Sequence, residues 1–577
     1  MKKISLLLVT LFTIGIVWGT EYSTSLKLID KSPIPNTNLT WTLYEDGTFV
    51  IEGEGDIPEY DPFSENIVWT WYKNYRNGIT KIIIEDGVKS IGESTFAYYN
   101  ILEELYISNS VEFIAEGAFS YCDKLANVTI GNSVKTLSKS AFYRCPNLTE
   151  IVLPKSLENI GIGVFAFDEK LTSLSIDADN QYFTTIDGVL YNKDVSKILI
   201  YPAGKTGEYV IPKTVNSIKE YAFFTCIGLI SITIPETITT IEDFTFDECL
   251  NLTEVHLPAT ITKIGEGAFG STENLKTITL PNNSGLTLDW AVFNLSGIET
   301  VTFPPSVEVI NKYTFFDCQS LSGVSISSSI KSIEEQTFYQ CYNLTSLLID
   351  SDTPPAMNGD VFKNIMNTKN ITLYVPAGME SNYSGYPWNQ LNQTVVGVDI
   401  SGIFGVAETL PMAAAGETKA LDINTEGDTH DLFTKLNLTC QIEIGEENKE
   451  WLSAVATANK QIAFTATKNN SGAARSATVK LWLVSERNYH EISVLQEYEE
   501  EHNAIIPINN NKEGINVFGG ESVIYIENAQ GLQITLSDVS GRAVYSGIGN
   551  NNTVEIPVAR GLYIAKIGQY VAKVLVK

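Results

Sequence analysis

Apolar positions between residues 81 and 396 recur with a period of 23 residues, interrupted once, after Phe165. Each period opens with a short alternation of aliphatic and polar residues and closes on a phenylalanine. A fixed short period indicates one supersecondary unit stacked many times, each copy burying its apolar edge against its neighbours. The pattern predicts a solenoid with the marker residues Phe96, Phe119, Phe142, Phe165, Phe223, Phe246, Phe269, Phe293, Phe315 and Phe338.

One coil illustrates the local pattern. Leu148, Ile151 and Leu153 alternate with the outward residues Glu150 and Val152, which is typical of a short strand with one buried face. A proline follows and ends the strand, because it cannot donate a ladder hydrogen bond. We expect such strands to stack into a parallel sheet, with rows of phenylalanine and cysteine on the other side.

The outward strand positions form two rows that are rich in hydroxyl side chains and poor in aromatic ones. Protein-binding hot spots favour Trp, Tyr and Arg, so these rows give a weak signal for a protein epitope. Thr and Ser also suit an exposed strand for purely structural reasons. The candidate ligand face taken from the rows consists of Glu104, Tyr106, Thr129, Glu150, Ser175, Thr233, Glu254, His256, Thr279 and Thr302.

Six of the seven cysteines lie three residues after a marker phenylalanine. Neighbouring coils are spaced by ~4.8 Å, which is wider than the ~3.8 Å between the Cβ atoms of a disulfide. We therefore expect buried free thiols. The chain has no Cys-x-x-Cys or Cys/His cluster, so no metal site is predicted.

Both ends of the chain differ from the repeats. Residues 1–19 have a basic start, an apolar stretch and a small residue suited to cleavage, which predicts an export signal. Residues 397–498 read as short alternating strands, 499–512 as an acidic linker and 513–577 as a further strand-rich tail. The predicted fold class is mostly β: a solenoid of 23-residue coils followed by two small β-sandwich domains.

The net charge and the sequence motifs limit which classes of function are possible. The net charge is −29, which argues against nucleic acid and anionic membranes, since both attract cationic surfaces. The four histidines are scattered and no Walker A, HExxH or nucleophile–histidine motif is present. We expect a binding protein without enzymatic activity, cofactor or metal.

The repeat L-x-x-I-x-[IL]-P-x-x-[VIL]-x-x-I-[GE]-x-x-[AT]-F-x-x-C-x-x-L resembles the BspA-like leucine-rich repeats of bacterial surface proteins. The resemblance extends from residue 81 to about 376 and includes an insert at 183–212. Residues 20–80 resemble the N-terminal β cap of that family, and 81–396 would form the solenoid. The resemblance implies a secreted or outer-membrane surface protein.

Two further resemblances follow the repeats. Trp451-Leu-Ser, Asn469 to Arg475 and Ile492 to Gln496 resemble the BACON domain of Bacteroidetes, proposed to bind carbohydrate or mucin. The turn Asp538-x-x-Gly541-Arg542 and the last two strands resemble the C-terminal sorting domain of type IX secretion. That likeness implies contact with the secretion machinery and passage across the outer membrane.

Three functions remain open at this point. The first is adhesion through the repeat face to a host extracellular-matrix protein, a mucin or other cells. The second is carbohydrate binding by residues 397–498 in an accessory protein. The third is a structural surface spacer.

Overall fold

A computed structural model gives the architecture. Among the described residues, 4% are helical and 40% are in strands, so the chain is mostly β as predicted. The predicted signal peptide and acidic linker lie outside the described residues. Those are 26–60, 70–283, 285–365, 371–390, 393–398, 409–413, 415–422, 436, 438, 440–457, 461–469, 473–484, 490–496, 515–519, 522–568 and 570–576.

Three antiparallel strands and one short helix begin the described chain: β1 (Leu28–Pro33), β2 (Asn38–Tyr44), β3 (Thr48–Ile57) and α1 (Thr70–Tyr75). A 3-10 turn follows at Arg76–Gly78. Trp41, Trp71 and Phe49 contact one another, with ring centroids 5.7–5.9 Å apart. This apolar cluster covers the open end of the solenoid, where unpaired strand edges would otherwise be exposed.

Each coil of the first block contributes one strand to each of two parallel ladders. The first ladder is built from β4, β6 and β8, with β10 paired to β12, and the second from β5, β7, β9 and β11. β3 joins both ladders by pairing with β4 and with β5. The strands are β4 (Lys81–Ile84), β5 (Val88–Ile91), β6 (Glu104–Ile107), β7 (Phe113–Ile114), β8 (Asn127–Thr129), β9 (Thr136–Leu137), β10 (Glu150–Leu153), β11 (Asn159–Ile160) and β12 (Ser173–Ile176).

An insert interrupts the coils. It comprises β13 (Phe183–Ile186), β14 (Val189–Asn192), β15 (Lys197–Ile200) and β16 (Gly207–Val210), and β17 (Ser217–Ile218) follows it. β13, β14 and β15 form an antiparallel meander, and β15 pairs in parallel with β17. The coils before and after the insert still meet, since the Lys219 ammonium donates to the carbonyls of Ile160 (2.7 Å) and Gly161 (3.0 Å).

The second block repeats the two ladders. The sheets are β16-β18-β20, β19-β21-β22, β23-β25-β27-β29-β30 and β24-β26-β28. The strands are β18 (Leu229–Thr233), β19 (Thr240–Ile241), β20 (Glu254–His256), β21 (Lys263–Ile264), β22 (Thr287–Leu288), β23 (Thr300–Thr302), β24 (Val309–Ile310), β25 (Gly323–Ile326), β26 (Ser332–Ile333), β27 (Ser346–Ile349), β28 (Ala356–Met357), β29 (Ile371–Pro376) and β30 (Gln393–Val398). Two 3-10 turns, Glu380–Tyr383 and Trp388–Gln390, lie between β29 and β30.

The marker phenylalanines form a buried ladder along the coils, as predicted. Consecutive rings stack with centroids 5.2–5.9 Å apart in most steps, for example 5.4 Å between Phe246 and Phe269. Phe49 begins the ladder and Phe362 ends it. In the insert Tyr201 takes the ladder position, with its ring 4.9 Å from Phe223. The buried residues divide into two core clusters, one reaching Leu199 and the other beginning at Val189.

A third side of each coil, the turn side, is formed by the segment around the marker phenylalanine. Its backbone is held by hydrogen bonds to the next coil, such as Phe96 N–H to the Ala118 carbonyl at 2.8 Å. In every coil, the residues two before and two after the phenylalanine have φ between +49° and +65°. Glycine tolerates this left-handed conformation best, and Gly117 is one example.

The cysteines of the repeats are free and buried, as predicted. Each thiol also has a hydrogen-bond role that the sequence did not reveal. The Cys249 Sγ donates to the Phe223 carbonyl of the preceding coil at 3.1 Å, and Cys341 to Phe315 at 3.0 Å. At the same position Thr272 donates its hydroxyl to the Phe269 carbonyl. The position therefore accommodates small hydrogen-bonding side chains in most coils.

We expect all seven cysteines to react with a thiol reagent only after denaturation, because their side chains are buried and burial raises the pKa of Cys145 and Cys226 well above 9.0. Thiol titration without reductant, in buffer and then in denaturant, checks this. A single titratable thiol in denaturant would mean disulfides between coils and would contradict the packing of this row.

Two strand-rich regions follow. In the first, β31 (Thr409–Met412), β37 (His490–Gln496), β36 (Arg475–Trp482) and β33 (Gln441–Ile444) form one sheet, and β32 (Glu417–Asp422), β35 (Gln461–Ala466) and β34 (Leu452–Thr457) the other. A 3-10 turn lies at Glu446–Asn448.

In the second region the sheets are β38-β39-β42 and β41-β40-β43-β44, which share one apolar core. Their strands are β38 (Asn516–Gly519), β39 (Val523–Glu527), β40 (Gln533–Asp538), β41 (Ala543–Ile548), β42 (Thr553–Pro557), β43 (Gly561–Ile567) and β44 (Tyr570–Val576).

The chain divides into two compact units. The first consists of residues 1–403, 425–439 and 482–489, and the second of residues 404–424, 440–481 and 490–577. The predicted domain limits remain predictions. No helix among the described residues is long and apolar enough to span a membrane.

Candidate ligand face

The candidate ligand face lies on the outward side of the first ladder, called here the strand face. Alternation in the short strands points every second side chain outward, and the register brings equivalent positions side by side, Tyr106 opposite Thr129. Eight of the ten predicted residues are exposed, and Thr233 and Thr302 are half-buried. The exposed ones are Glu104, Tyr106, Thr129, Glu150, Ser175, Glu254, His256 and Thr279.

A surface pocket of about 290 Å³ lies on the strand face over β4, β6 and β8. Three residues of the predicted candidate ligand face line it. The other lining residues were not predicted, because they belong to the first coil or were not included in the candidate ligand face. The Lys81 ammonium is 2.9 Å from a carboxylate oxygen of Glu104. The lining residues are Lys81, Ile83, Glu85, Glu104, Leu105, Tyr106, Asn127 and Thr129.

The pocket has an acidic side. Burial raises the pKa of Glu85, and the neighbouring carboxylates of Asp86 and Glu52 raise it further. Burial also raises the pKa of the Tyr106 hydroxyl, with Asp86 and Glu85 adding to the effect. The pocket therefore combines an aromatic ring that is 37% exposed with negative charge and one ion-paired lysine.

The strand face is not continuous. Gly188 of the insert packs against the backbone of Ser173, and Val210 of β16 pairs beside Thr233. Insert residues thus lie next to both sides of the interruption. Thr279 lies outside any strand, since in its coil only Thr277 forms a bridge to the next one.

The outward strand positions are buried in the last coils. Thr300 is buried, and Ser325 is 0% exposed with no hydrogen-bond partner for its hydroxyl. All residues of β25 and β27 are buried on both faces. Buried residues of the same compact unit include Leu436 and Leu438 from beyond the repeats. The accessible strand face therefore lies mainly in the coils before residue 300.

The residues that resemble the BACON domain meet in one cluster. The Arg475 guanidinium lies over the Trp451 ring, 4.4 Å from its centroid, and its Nε donates to Gln496 at 2.8 Å. Gln496 in turn donates to the carbonyls of Ala413 and Thr467, both at 2.8 Å. Trp451 is 7% exposed, so this cluster offers no open aromatic platform for a sugar ring.

Within the described part of the chain, no group of three or more His, Cys, Asp or Glu side chains could hold a metal ion. Leucine-rich repeat proteins are generally non-enzymatic binding proteins, and no observation here indicates catalysis.

The family model for the BspA type leucine-rich repeat region matches residues 70–188, 201–291 and 286–384 in six copies. Together these stretches cover more than half of the chain. A second model, for a domain of unknown function (DUF6383), matches residues 506–576. No curated protein matches the chain.

Several solved structures are similar. A leucine-rich repeat protein from Eubacterium ventriosum has 22% identity and a TM-score of 0.43, with 62% of this chain and 91% of that chain covered. The pneumococcal vaccine antigen PcpA has 20% identity and a TM-score of 0.42, covering 64% and 98%. A leucine-rich cell surface protein from Faecalibacterium prausnitzii has 22% identity and a TM-score of 0.37, covering 55% and 95%.

Proposed function

Because this chain belongs to the family defined by the BspA type leucine-rich repeat region, we propose that it is a non-enzymatic binding protein acting at the cell surface. Its partner would be a host extracellular-matrix protein, a mucin or another surface ligand. The proposal locates binding on the strand face. The pocket that contains Glu104, Tyr106 and Thr129 is the observation that carries it.

The pocket suits a protein partner better than a flat sheet would. Tyr106 supplies a large ring with a hydroxyl group, the combination found in interface hot spots. Glu104 and Lys81 are partly exposed partners of one ion pair, so a ligand can compete for either charge. Such a pair contributes little to folding stability, so it is available for recognition.

The proposal includes export. Residues 1–19 would direct the chain across the inner membrane, and residues 513–577 would engage a secretion machinery of the type IX class. The described part of the tail is a compact pair of sheets with its own core, consistent with an independent sorting element.

Replacing Tyr106 with alanine should weaken binding of the intact chain to its ligand by about tenfold or more, the typical effect of a hot-spot tyrosine. Binding to immobilised collagen and to purified mucin, measured by surface plasmon resonance, tests this. The matched control is Tyr182→Ala, an exposed tyrosine just before the insert that belongs to no strand.

The control should bind like the unsubstituted chain. If both variants lose affinity equally, the strand face is not the site. If the unsubstituted chain binds neither collagen nor mucin at micromolar concentration, these two ligand classes are ruled out.

A further inference from the structure

The turn side carries a continuous row of aromatic rings that the strand face lacks. Successive centroids lie 4.6, 5.4, 5.1, 5.6, 5.3 and 5.1 Å apart across six coils. All seven residues are half-buried, so each remains partly accessible. This row, the aromatic stripe, consists in order of Tyr98, Tyr121, Tyr143, Phe167, Phe224, Tyr221 and Phe244.

The backbone does not require these rings. Tyr221 and Phe244 have φ of 59° and 52° two residues before their marker phenylalanines, where other coils have Gly163 and Gly267. Bulky side chains are disfavoured in this left-handed conformation by ~1–2 kcal/mol. The stripe therefore places aromatic residues at positions where the fold itself favours small ones.

The ring geometry varies along the stripe. Tyr98 and Tyr121 stack with an interplanar angle of 10°, and Tyr221 and Phe244 with 24°. Tyr143–Phe167, Phe167–Phe224 and Tyr221–Phe224 instead meet edge-to-face, with interplanar angles of 70–86°, so the ring faces are not all covered by neighbouring rings. A guanidinium and a sugar ring both bind over an aromatic face, so the charges beside the stripe decide between the two.

The charge around the stripe indicates the chemistry of that partner. Burial raises the pKa of the Tyr221 hydroxyl, and the surrounding carboxylates of Glu220, Asp247, Glu266 and Asp243 raise it further. Burial, followed by the charge on Glu248, raises the pKa of Asp247 to about 6. Carboxylates beside aromatic rings are suited to cationic side chains.

An arginine of this chain already makes a cation–aromatic contact with one ring of the stripe. The Arg144 guanidinium lies 5.6 Å from the centroid of Tyr121, within cation–π range. Near Tyr221 and Phe244 the carboxylates would stabilise a further guanidinium supplied from outside.

We propose that the aromatic stripe is a second interaction surface, which binds an extended, arginine-rich segment of a partner protein. The six coils span ~24 Å at ~4.8 Å per coil, which about eight extended residues would cover. Guanidinium groups would lie over accessible ring faces and pair with the carboxylates beside Tyr221. This site is distinct from the pocket on the strand face.

The test uses the intact chain and a peptide of about eight residues alternating arginine and glycine, matched to the length of the stripe. The stripe variant combines Tyr221→Gly, Phe244→Gly and Phe167→Ser. Each replacement is a residue type that another coil has at the same position, so the coils should fold normally. We expect the variant to bind the peptide about tenfold or more weakly by calorimetry, with an unchanged thermal transition.

A charge control separates the stripe from general attraction to an acidic protein. Glu220→Gln with Glu248→Gln should weaken binding, whereas Glu112→Gln with Glu308→Gln, which removes the same charge elsewhere, should not. Tyr106→Ala on the strand face should also leave peptide binding unchanged. If the stripe proposal fails, the strand-face proposal therefore still stands. If the strand-face proposal fails, the stripe proposal still stands.

Several results would overturn the proposal. Equal losses in both charge pairs would mean that binding follows net charge alone. Unchanged affinity in the stripe variant would remove the stripe from the contact. Binding of a neutral oligosaccharide such as cellohexaose in place of the arginine peptide, lost in the stripe variant, would make the stripe a glycan site.

Discussion

Replacing Phe246 with alanine should lower the free energy of unfolding of the repeats by ~3–5 kcal/mol, the usual cost of removing a buried phenylalanine. Phe246 is fully buried between Phe223 and Phe269, whose ring centroids lie 5.0 and 5.4 Å away. The deletion leaves a cavity that stacked coils cannot close, because each coil is held by its hydrogen bonds to two neighbours. Chemical denaturation followed by circular dichroism measures the loss.

Phe113→Ala is the matched control. Phe113 is 43% exposed at the start of β7, so its removal should cost less than ~1 kcal/mol. The transition of the C-terminal sheets should not move in either variant, because solenoid energetics act between nearest neighbours. An unchanged unfolding curve for Phe246→Ala would contradict the ladder.

Replacing Asp168 with asparagine should stabilise the protein at neutral and basic pH and change little near pH 4. Asp168 occupies the cysteine position of its coil and is fully buried. One carboxyl oxygen accepts from the Cys145 N–H at 2.6 Å, and the other has no partner. Burial raises the pKa of this carboxyl well above its ordinary value of 3.8, with the Cys145 side chain adding to the rise.

The direction of this pH dependence of stability follows from proton linkage. The folded state holds the Asp168 proton more tightly than the unfolded state, so its stabilisation is complete below about pH 4 and is lost as pH rises towards the folded pKa. Relative to the asparagine variant, wild-type stability should fall by up to ~1.4 kcal/mol per pH unit within that window. Denaturation curves at several pH values give this slope. Asp360→Asn, at an exposed carboxyl, should show no such dependence, and parallel curves for Asp168→Asn would contradict the prediction.

The repeat core could be predicted from sequence because it is periodic. A phenylalanine every 23 residues specifies both the coil and its buried side. Tyr201 and Phe49 could not be found this way, since neither the insert nor the cap follows the period. Their ladder positions depend on how the chain returns to the stack, which is a tertiary property.

The candidate surfaces were predictable only in part. The alternation of apolar and polar residues placed Glu104 and Tyr106 on the outward side. It carries no information on tertiary contacts, so it could not show that Ser325, about two hundred residues further along the chain, is buried. The aromatic stripe was missed because its members occupy three different positions relative to the marker phenylalanine. None of these three positions is aromatic in every coil, and only the stacking of the coils brings Tyr143, Phe167 and Phe224 together.

The division of the solenoid core at the insert has a mechanical consequence. Within each block the ring ladder is continuous, but Phe165 and Tyr201 belong to two separate core clusters. The connection there includes the Lys219 ammonium and the hydrogen bond from the Phe167 N–H to the Thr225 hydroxyl at 2.8 Å. Under a pulling force the rod would therefore yield first at this joint, and the aromatic stripe, which crosses it from Phe167 to Phe224, would be parted there while both blocks stayed folded.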